Sequence, residues 1–147
     1  MAGVQKTSPM GLPELKERLA GLGSPPLRRL LAKNLAEEAR TQVANGFRAA
    51  RDPYGRPWKA IKFRQGMILQ DTGRLRGSVA TRATSAGFRI DMPVVYARVH
   101  QYGSGRMPQR QMIPMATTGG LGPIWADAFN ETARLVLERY GKEGAGA

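Results

Sequence analysis

The sequence predicts an α+β protein in which one long helix in the N-terminal half and a C-terminal helix pack on a small antiparallel β-sheet, with long loops between them. Apolar residues recur at helical spacing after Ser24 and again after Pro123, which predicts the two helices. Apolar and polar residues alternate from Phe88 to Met92, which predicts a strand. The 147 residues suit a single domain, because folding at that length buries roughly two thirds of a chain's surface.

The N-terminal residues divide into an arm and a short helix. Residues 1–11 are polar and contain glycine and proline, so we expect a flexible arm ahead of a domain spanning residues 12–140. Leu12 to Leu22 is predicted to be helical, because Pro13 lies in its first turn and Gly23 follows its end.

The long helix is predicted to begin after Ser24, whose hydroxyl is placed to cap the first turn. An apolar stripe then recurs every four residues, and Leu30 and Ala36 widen it. The positions in the stripe are Leu27, Leu31, Leu35, Ala39, Val43 and Phe47. We interpret the stripe as core packing, with a contact to another subunit as the alternative.

A turn-rich loop is predicted at Arg51–Phe63, because Asp52–Trp58 contains two prolines and a glycine. Tyr54 and Trp58 are expected to pack over the end of the long helix, since aromatic side chains bury large areas and tolerate a wet polar tip. Stacking on nucleic-acid bases is the alternative, given the neighbouring arginines.

The middle of the chain is predicted to hold a helix cap, a β-hairpin and one element that could be a strand or a helix. Thr72–Arg74 is a turn or cap before a short helical stretch, and residues 78–84 and 88–92 form a β-hairpin with one buried face. Val94 to Tyr102 is either a third strand or a short helix, because its periodicity fits both. Gly103 to Pro123 has no usable period and is predicted as an extended loop, and loops of that length usually have a function.

The last predicted element is a helix from about Ile124 to Tyr140, followed by a tail, residues 141–147, that we expect to be disordered. Its apolar face holds Trp125, Phe129, Thr132, Val136 and Tyr140, with Ala128 and Leu135 beside it.

Charge is the strongest compositional signal, with 23 Lys and Arg against 11 Asp and Glu and a net charge of +12. Residues 51–76 hold seven basic and two acidic side chains, whereas residues 124–147 hold three basic and four acidic ones. A basic surface attracts polyanions such as nucleic acid, or an acidic protein partner. Charge alone does not decide between these partners.

Several kinds of chemistry are excluded or disfavoured by composition. The absence of cysteine excludes disulfides, thiolate metal sites and a cysteine nucleophile. His100 is the single histidine, so we expect a hydrogen-bonded or interface histidine rather than a metal ligand. The pairs Glu37-Glu38 and Glu14-Glu17 suit solvated helix faces, and Gly103–Arg106 suits either weak anion binding or a flexible loop. We therefore expect no cofactor, no metal and no enzymatic activity, with a small hydrolase as a remote alternative.

No apolar run approaches the roughly 20 residues that cross a bilayer, and the first 30 residues lack a signal-peptide core. We therefore expect a soluble protein made in a cytoplasm, without membrane contact.

Three segments, Asp52–Trp58, Leu69–Ser78 and Val95–Gly103, carry a family resemblance through their order and spacing. Together they resemble the phage virion morphogenesis family, which includes the tail completion proteins of Mu-like phages. The resemblance runs from roughly Leu27 to the C-terminal helix. The family usually continues with a stretch of the type Pro-x-Arg-Pro-Phe-Leu, and here Pro108–Pro114 replaces its second proline and its phenylalanine.

The resemblance implies a structural, non-enzymatic virion protein at the head-to-tail junction: a tail completion, tail terminator or neck subunit, assembled in the host cytoplasm. It implies a homo-oligomeric ring, with a hexamer as the favoured size, in contact with neighbouring neck, connector or tail-tube proteins. Non-specific contact with phage DNA in the lumen is compatible with it. The main rival is a basic nucleic-acid-binding module, although no helix-turn-helix or zinc finger is recognised.

A ring subunit needs a rigid body and segments that reach the next copy, because heterologous contacts close only at a fixed rotation. We expect the two helices and the hairpin to form the body, and residues 1–11, 51–65 and 103–123 to make the contacts. The candidate contact residues are Tyr54, Arg56, Trp58, Arg74, Arg76, His100, Tyr102, Arg106 and Arg110.

Overall fold

The computed structural model describes residues 23–62 and 64–145. The expected arm and the helix predicted at Leu12–Leu22 lie outside these residues. In order, the elements are α1 (Pro25–Ala49), α2 (Arg74–Gly77), β1 (Ala80–Ala83), β2 (Phe88–Asp91), α3 (Ala97–Tyr102), a 3₁₀ turn (Ala116–Thr118) and α4 (Gly122–Ala145). This is the predicted α+β architecture, with two long helices and one small antiparallel sheet.

Helix α1 begins where its capping signal predicts. The Ser24 hydroxyl accepts a hydrogen bond from the Leu27 amide at 3.4 Å, and two prolines occupy the first turn, where no amide hydrogen is needed. At the other end, Ala50 takes a left-handed conformation with φ 52° and donates its amide to the Gly46 carbonyl. The predicted helix is confirmed at both ends.

The buried face of α1 differs from the stripe predicted at every fourth residue. Leu31 and Leu35 are only half-buried, whereas Ala32 and Ala36 are buried. Four residues exceed one helical turn of 3.6 residues, so a strict four-residue step drifts by about 40° each time. The face that stays on the core combines steps of three and four residues, as in Ala36, Ala39 and Val43.

Helix α4 packs along α1 and is longer than predicted. It starts at Gly122 and continues to Ala145, so residues 141–145 of the expected disordered tail are helical. Trp125 and Val136 are buried as predicted, but Leu135 is 52% exposed and lies outside the core. Glu38 was predicted to lie on a solvated helix face but is half-buried between the two helices. Its carboxylate accepts a hydrogen bond from the Thr132 hydroxyl of α4 at 3.4 Å.

The predicted hairpin is present and lies on the helix pair. β1 and β2 pair antiparallel, with Ala80 opposite Asp91 and Ala83 opposite Phe88. Both strands contact α1, and the Phe88 ring meets Phe129 of α4 edge-on at 5.5 Å between centroids. The apolar face of the hairpin therefore closes one side of the core, as the alternation predicts.

The core joins α1 and α4 to the loops rather than stopping at the helices. It is built from Ala39, Val43, Phe47, Trp58, Leu69, Leu75, Ala97, Met112 and Trp125. The sequence left open whether Val94–Tyr102 forms a strand or a short helix. The structure has the helix α3 there, and its Ala97 is buried in this cluster. Within the described ranges, no helix is long and apolar enough to span a membrane.

Candidate interaction surface

The first family-like segment, Asp52–Trp58, is a tight turn organised by one carboxylate. Asp52 accepts hydrogen bonds from the amides of Tyr54 and Arg56, both at 2.9 Å, and pairs with the Arg56 guanidinium at 2.8 Å. That guanidinium lies 5.3 Å from the centre of the Tyr54 ring. Two of the candidate contact residues, Tyr54 and Arg56, are thus positioned by the turn itself.

Tyr54 ties this turn to the loop that precedes α4. Its hydroxyl donates to the Gly120 carbonyl at 2.7 Å and accepts from the Met115 amide at 3.3 Å. A Cβ atom on Gly122, which has φ 73°, would lie 2.7 Å from a carbon of the Tyr54 ring. A glycine is therefore required where α4 meets Tyr54.

Trp58 is an interior residue. It is 6% exposed, its ring meets Phe47 edge-on at 5.6 Å, and its indole N–H donates to the Gln111 carbonyl at 2.9 Å. The prediction that it packs over the end of α1 is confirmed. Its side chain is not available to a neighbouring subunit or to a stacked base in this structure. The prediction that Trp58 is a contact residue is therefore corrected.

Arg110 is also an anchor rather than an exposed contact. It is 6% exposed, and its guanidinium donates to the carbonyls of Lys59 at 2.9 Å and Ala60 at 3.0 Å. Its own amide donates to the His100 carbonyl at 2.8 Å. Burial, followed by the charge of Arg64, lowers the pKa of Arg110 from its usual value. Arg110 thereby joins three segments that are far apart in the sequence.

Gln101 is a structural residue that sequence reasoning missed. It is 4% exposed, and its side-chain oxygen accepts from the amides of Met112 at 2.8 Å and Ile113 at 3.2 Å. Its side-chain nitrogen donates to the Ile113 carbonyl at 2.8 Å. Its one signal in the sequence was its place in the third family-like segment, between two candidate contacts.

The loop around Arg106 is ordered by its own backbone. The Ser104 amide donates to the Met107 carbonyl at 2.9 Å, and the Met107 amide donates to the Ser104 hydroxyl at 3.2 Å. Gly103 has φ 76°, and a Cβ atom there would lie 3.1 Å from the Gln109 nitrogen. These amides are already bonded, so they are not free to bind an anion.

The second and third family-like segments meet at an open groove of about 690 Å³, which we call the basic groove. Its lining includes Ile61, Arg64, Leu69, Asp71, Arg74, Leu75, Tyr96, His100, Met107 and Arg110. Three arginines face one carboxylate among these described residues, and Arg64 lies 3.8 Å from Asp71. The basic groove therefore combines an excess of positive charge with apolar side chains in its lining.

His100 lies in the wall of the basic groove and is not hydrogen-bonded through its inner nitrogen. Its Nδ1 atom is buried and has no hydrogen-bond partner among the described residues, while its ring meets Tyr96 edge-on at 6.1 Å. Burial, and then the charge of Arg110, lowers the pKa of His100 below its usual value. Both effects disfavour the charged imidazolium.

Two apolar side chains in the lining of the basic groove, Tyr96 and Met107, are exposed, and further large apolar side chains are exposed outside that lining. Val95 is 93% exposed, Tyr102 62%, Met67 54%, and Tyr96 and Met107 39% each. Arg74, Arg76 and Arg106 are also exposed. Tyrosine, methionine and arginine are the residue types enriched where proteins meet, and a cluster of exposed apolar residues marks such a surface.

The described residues contain no group of three or more histidine, aspartate and glutamate side chains arranged to hold a metal ion. The fold and the basic groove describe a small basic α+β protein with a packed helix pair and an exposed groove that combines arginines with apolar side chains.

The chain belongs to the phage virion morphogenesis family, whose model matches residues 12–123. The match begins before Leu27, where the sequence resemblance was taken to start, and stops at the beginning of α4. No curated protein and no solved structure matches the chain. Membership makes this a virion-associated protein with a role in building the phage particle, in a family of structural proteins.

Proposed function

We propose that the protein is a tail completion, tail terminator or neck subunit that acts at the head-to-tail junction as a closed ring of identical copies, with a hexamer as the expected size. The observation that carries this proposal is the basic groove. Residues of two of the three family-like segments line the groove, and its lining includes the exposed side chains of Tyr96, Met107 and Arg74.

A ring of fixed size needs subunits that hold their shape. α1 and α4 pack along each other, and the loops on the groove side are tied down by Tyr54, Gln101 and Arg110. Because these anchors act between distant segments, the groove keeps a defined position relative to the helices. A small constant rotation between copies can then close the ring.

The partners we expect follow from position and charge. The other copies of the chain come first, and neighbouring connector or tail-tube proteins contact the two open faces of the ring. With a net charge of +12, arginines that face the lumen are expected to contact DNA phosphates without base specificity.

The test is the particle that forms without this protein. A phage carrying an amber mutation in the gene should yield full heads and free tails under the electron microscope, and supplying the wild-type protein from a plasmid should restore joined particles. Joined, infectious particles formed in its complete absence would contradict the proposal.

Nucleic-acid binding remains a second candidate function, favoured by the net charge of +12 alone. It predicts DNA binding by the isolated protein that weakens steeply as salt rises from about 50 to 200 mM. The burial of Trp58 removes one of the two aromatic residues on which base stacking was considered.

A further inference from the structure

Helix α4 carries a second surface that the fold leaves uncovered. Its inner side is buried through Trp125 and Val136. On the opposite side, one stripe at spacings of three, four, four and three residues holds Ile124, Asp127, Glu131, Leu135 and Glu138. We call this stripe the outer face of α4.

Both apolar members of the outer face are about half exposed, although leucine and isoleucine are usually inside. The rest of the Ile124 side chain is covered by Gly55, and the rest of the Leu135 side chain by α1. Ile124 is 47% exposed and Leu135 is 52% exposed. Asp127 is exposed as well, between the two apolar side chains. A helix face that presents apolar residues among acidic ones fits a partner surface that is apolar and basic.

The carboxylates of the outer face differ in their ion pairs. Arg134 bonds to Glu131 and to Glu138, each at 2.6 Å. Arg134, Arg139 and Lys142 balance the three carboxylates in number, so this side of the helix has no net charge. Asp127 forms no ion pair among the described residues, and it is therefore the carboxylate most open to a partner's cation.

The basic groove has the opposite composition. Its three arginines exceed its single carboxylate, Asp71, and its lining offers Leu75, Tyr96 and Met107 to an apolar side chain. Arg64 already lies 3.8 Å from Asp71, whereas Arg74 forms no ion pair among the described residues. The groove can therefore accept a carboxylate and an apolar side chain, and the outer face of α4 presents Asp127 between Ile124 and Leu135.

We infer that the outer face of α4 of one copy docks into the basic groove of the next copy. This inference rests on the proposed ring and names the contact that closes it. Asp127 meets Arg74, while Leu135 or Ile124 contacts Tyr96 and Met107. The two surfaces share no residue, so every copy uses one of each and the contact is heterologous, as a ring requires.

The test is a charge swap followed by native mass spectrometry of the full-length protein. R74E and D127R each place like charges together, and each should raise the protein concentration at half-assembly by about tenfold or more, which corresponds to about 1.4 kcal/mol. The double variant R74E/D127R restores an attractive pair and should assemble within about threefold of the wild type. Circular dichroism confirms that each variant is folded.

R28E is the matched control, because Arg28 is exposed on α1 outside both surfaces and the change in net charge equals that of R74E. It should assemble like the wild type. If the wild type forms rings and R74E and D127R form them equally well, the docking contact is wrong while the ring stands. A single variant that weakens assembly without rescue by the double also overturns the pairing. If the wild type is monomeric at every concentration and is absent from particles, the proposed function fails as well.

Discussion

The helix pair and the loop layer of this protein are held together in different ways. α1 and α4 meet through apolar side chains at helical spacing, such as Val43 and Trp125. Residues 51–62 and 103–121 are fixed instead by polar side chains that reach across the fold, as Gln101 reaches Met112. The first kind of packing tolerates similar apolar substitutes, whereas the second depends on particular donors and acceptors in low-dielectric surroundings. The surface that we propose for assembly is therefore built on the part that is more sensitive to substitution.

Trp58 belongs to both regions, so its removal should have the largest effect. Trp58→Ala deletes a buried ring and leaves the Gln111 carbonyl without its donor, and we expect unfolding to become easier by about 3–5 kcal/mol. Trp58→Phe keeps most of the packing and should cost less. Urea denaturation followed by circular dichroism measures both, and a loss below about 1 kcal/mol for Trp58→Ala would contradict the interior role.

Gln101 tests the loop layer alone. Gln101→Leu keeps the approximate volume but leaves the buried Met112 amide unpaired, which should lower the free energy of unfolding by about 1–3 kcal/mol. Gln101→Glu keeps the accepting oxygen but buries a carboxylate against the Ile113 carbonyl, so we expect it to be destabilised at neutral pH and to regain stability at acidic pH, where the protonated carboxyl can donate to that carbonyl. A leucine variant as stable as the wild type would show that this anchor is dispensable.

Ser24 offers the corresponding test on the helix pair. Its hydroxyl caps α1 and lies 3.2 Å from the Tyr140 hydroxyl of α4. Ser24→Ala should lower the free energy of unfolding by about 1 kcal/mol, and Ser24→Asp should retain most of the cap. Equal losses in the two variants would mean that the cap contributes nothing.

The smallest expected effect is the pH dependence of His100. Its pKa is lowered in the folded protein by burial and then by Arg110, whereas the unfolded value is about 6.5. The unfolded chain therefore binds more protons just below that pH, and stability falls as the pH drops through about 6.5 until the folded pKa is passed. The urea midpoint should fall between pH 7.5 and 5.5 in the wild type and fall less in His100→Gln.

A direct check uses the fact that His100 is the single histidine, so its proton resonance in an untagged protein can be followed without assignment. A measured pKa at or above 6.5 in the unassembled protein would contradict the lowered pKa that the partial burial of His100 and the charge of Arg110 predict.

Most of the fold was predictable because its signals are local. The Ser24 cap, the apolar periodicity of both helices and the alternation in the hairpin each involve residues only a few positions apart. The details that failed have equally local reasons. The predicted stripe used a strict four-residue step, which drifts around the helix, so it assigned Leu31 and Leu35 to the core although they are only half-buried. The glycines after Tyr140 were expected to end α4, but the helix continues to Ala145.

The site was only partly predictable, because its chemistry depends on partners far along the chain. Trp58 and its acceptor at Gln111 are 53 residues apart, and Arg110 and the Lys59 carbonyl are 51 apart. No periodicity reports such a pairing, so both residues were grouped with exposed candidates. Arg74, Arg76, Tyr102 and Arg106 are exposed, and their contacts with other subunits stay predictions.

Cryo-electron microscopy of the intact phage at the head-to-tail junction tests the central claim most directly. The account predicts a closed ring in which each density fits this α+β fold and touches two identical neighbours through different surfaces. A junction map at side-chain resolution in which every ring is built from other proteins would contradict it.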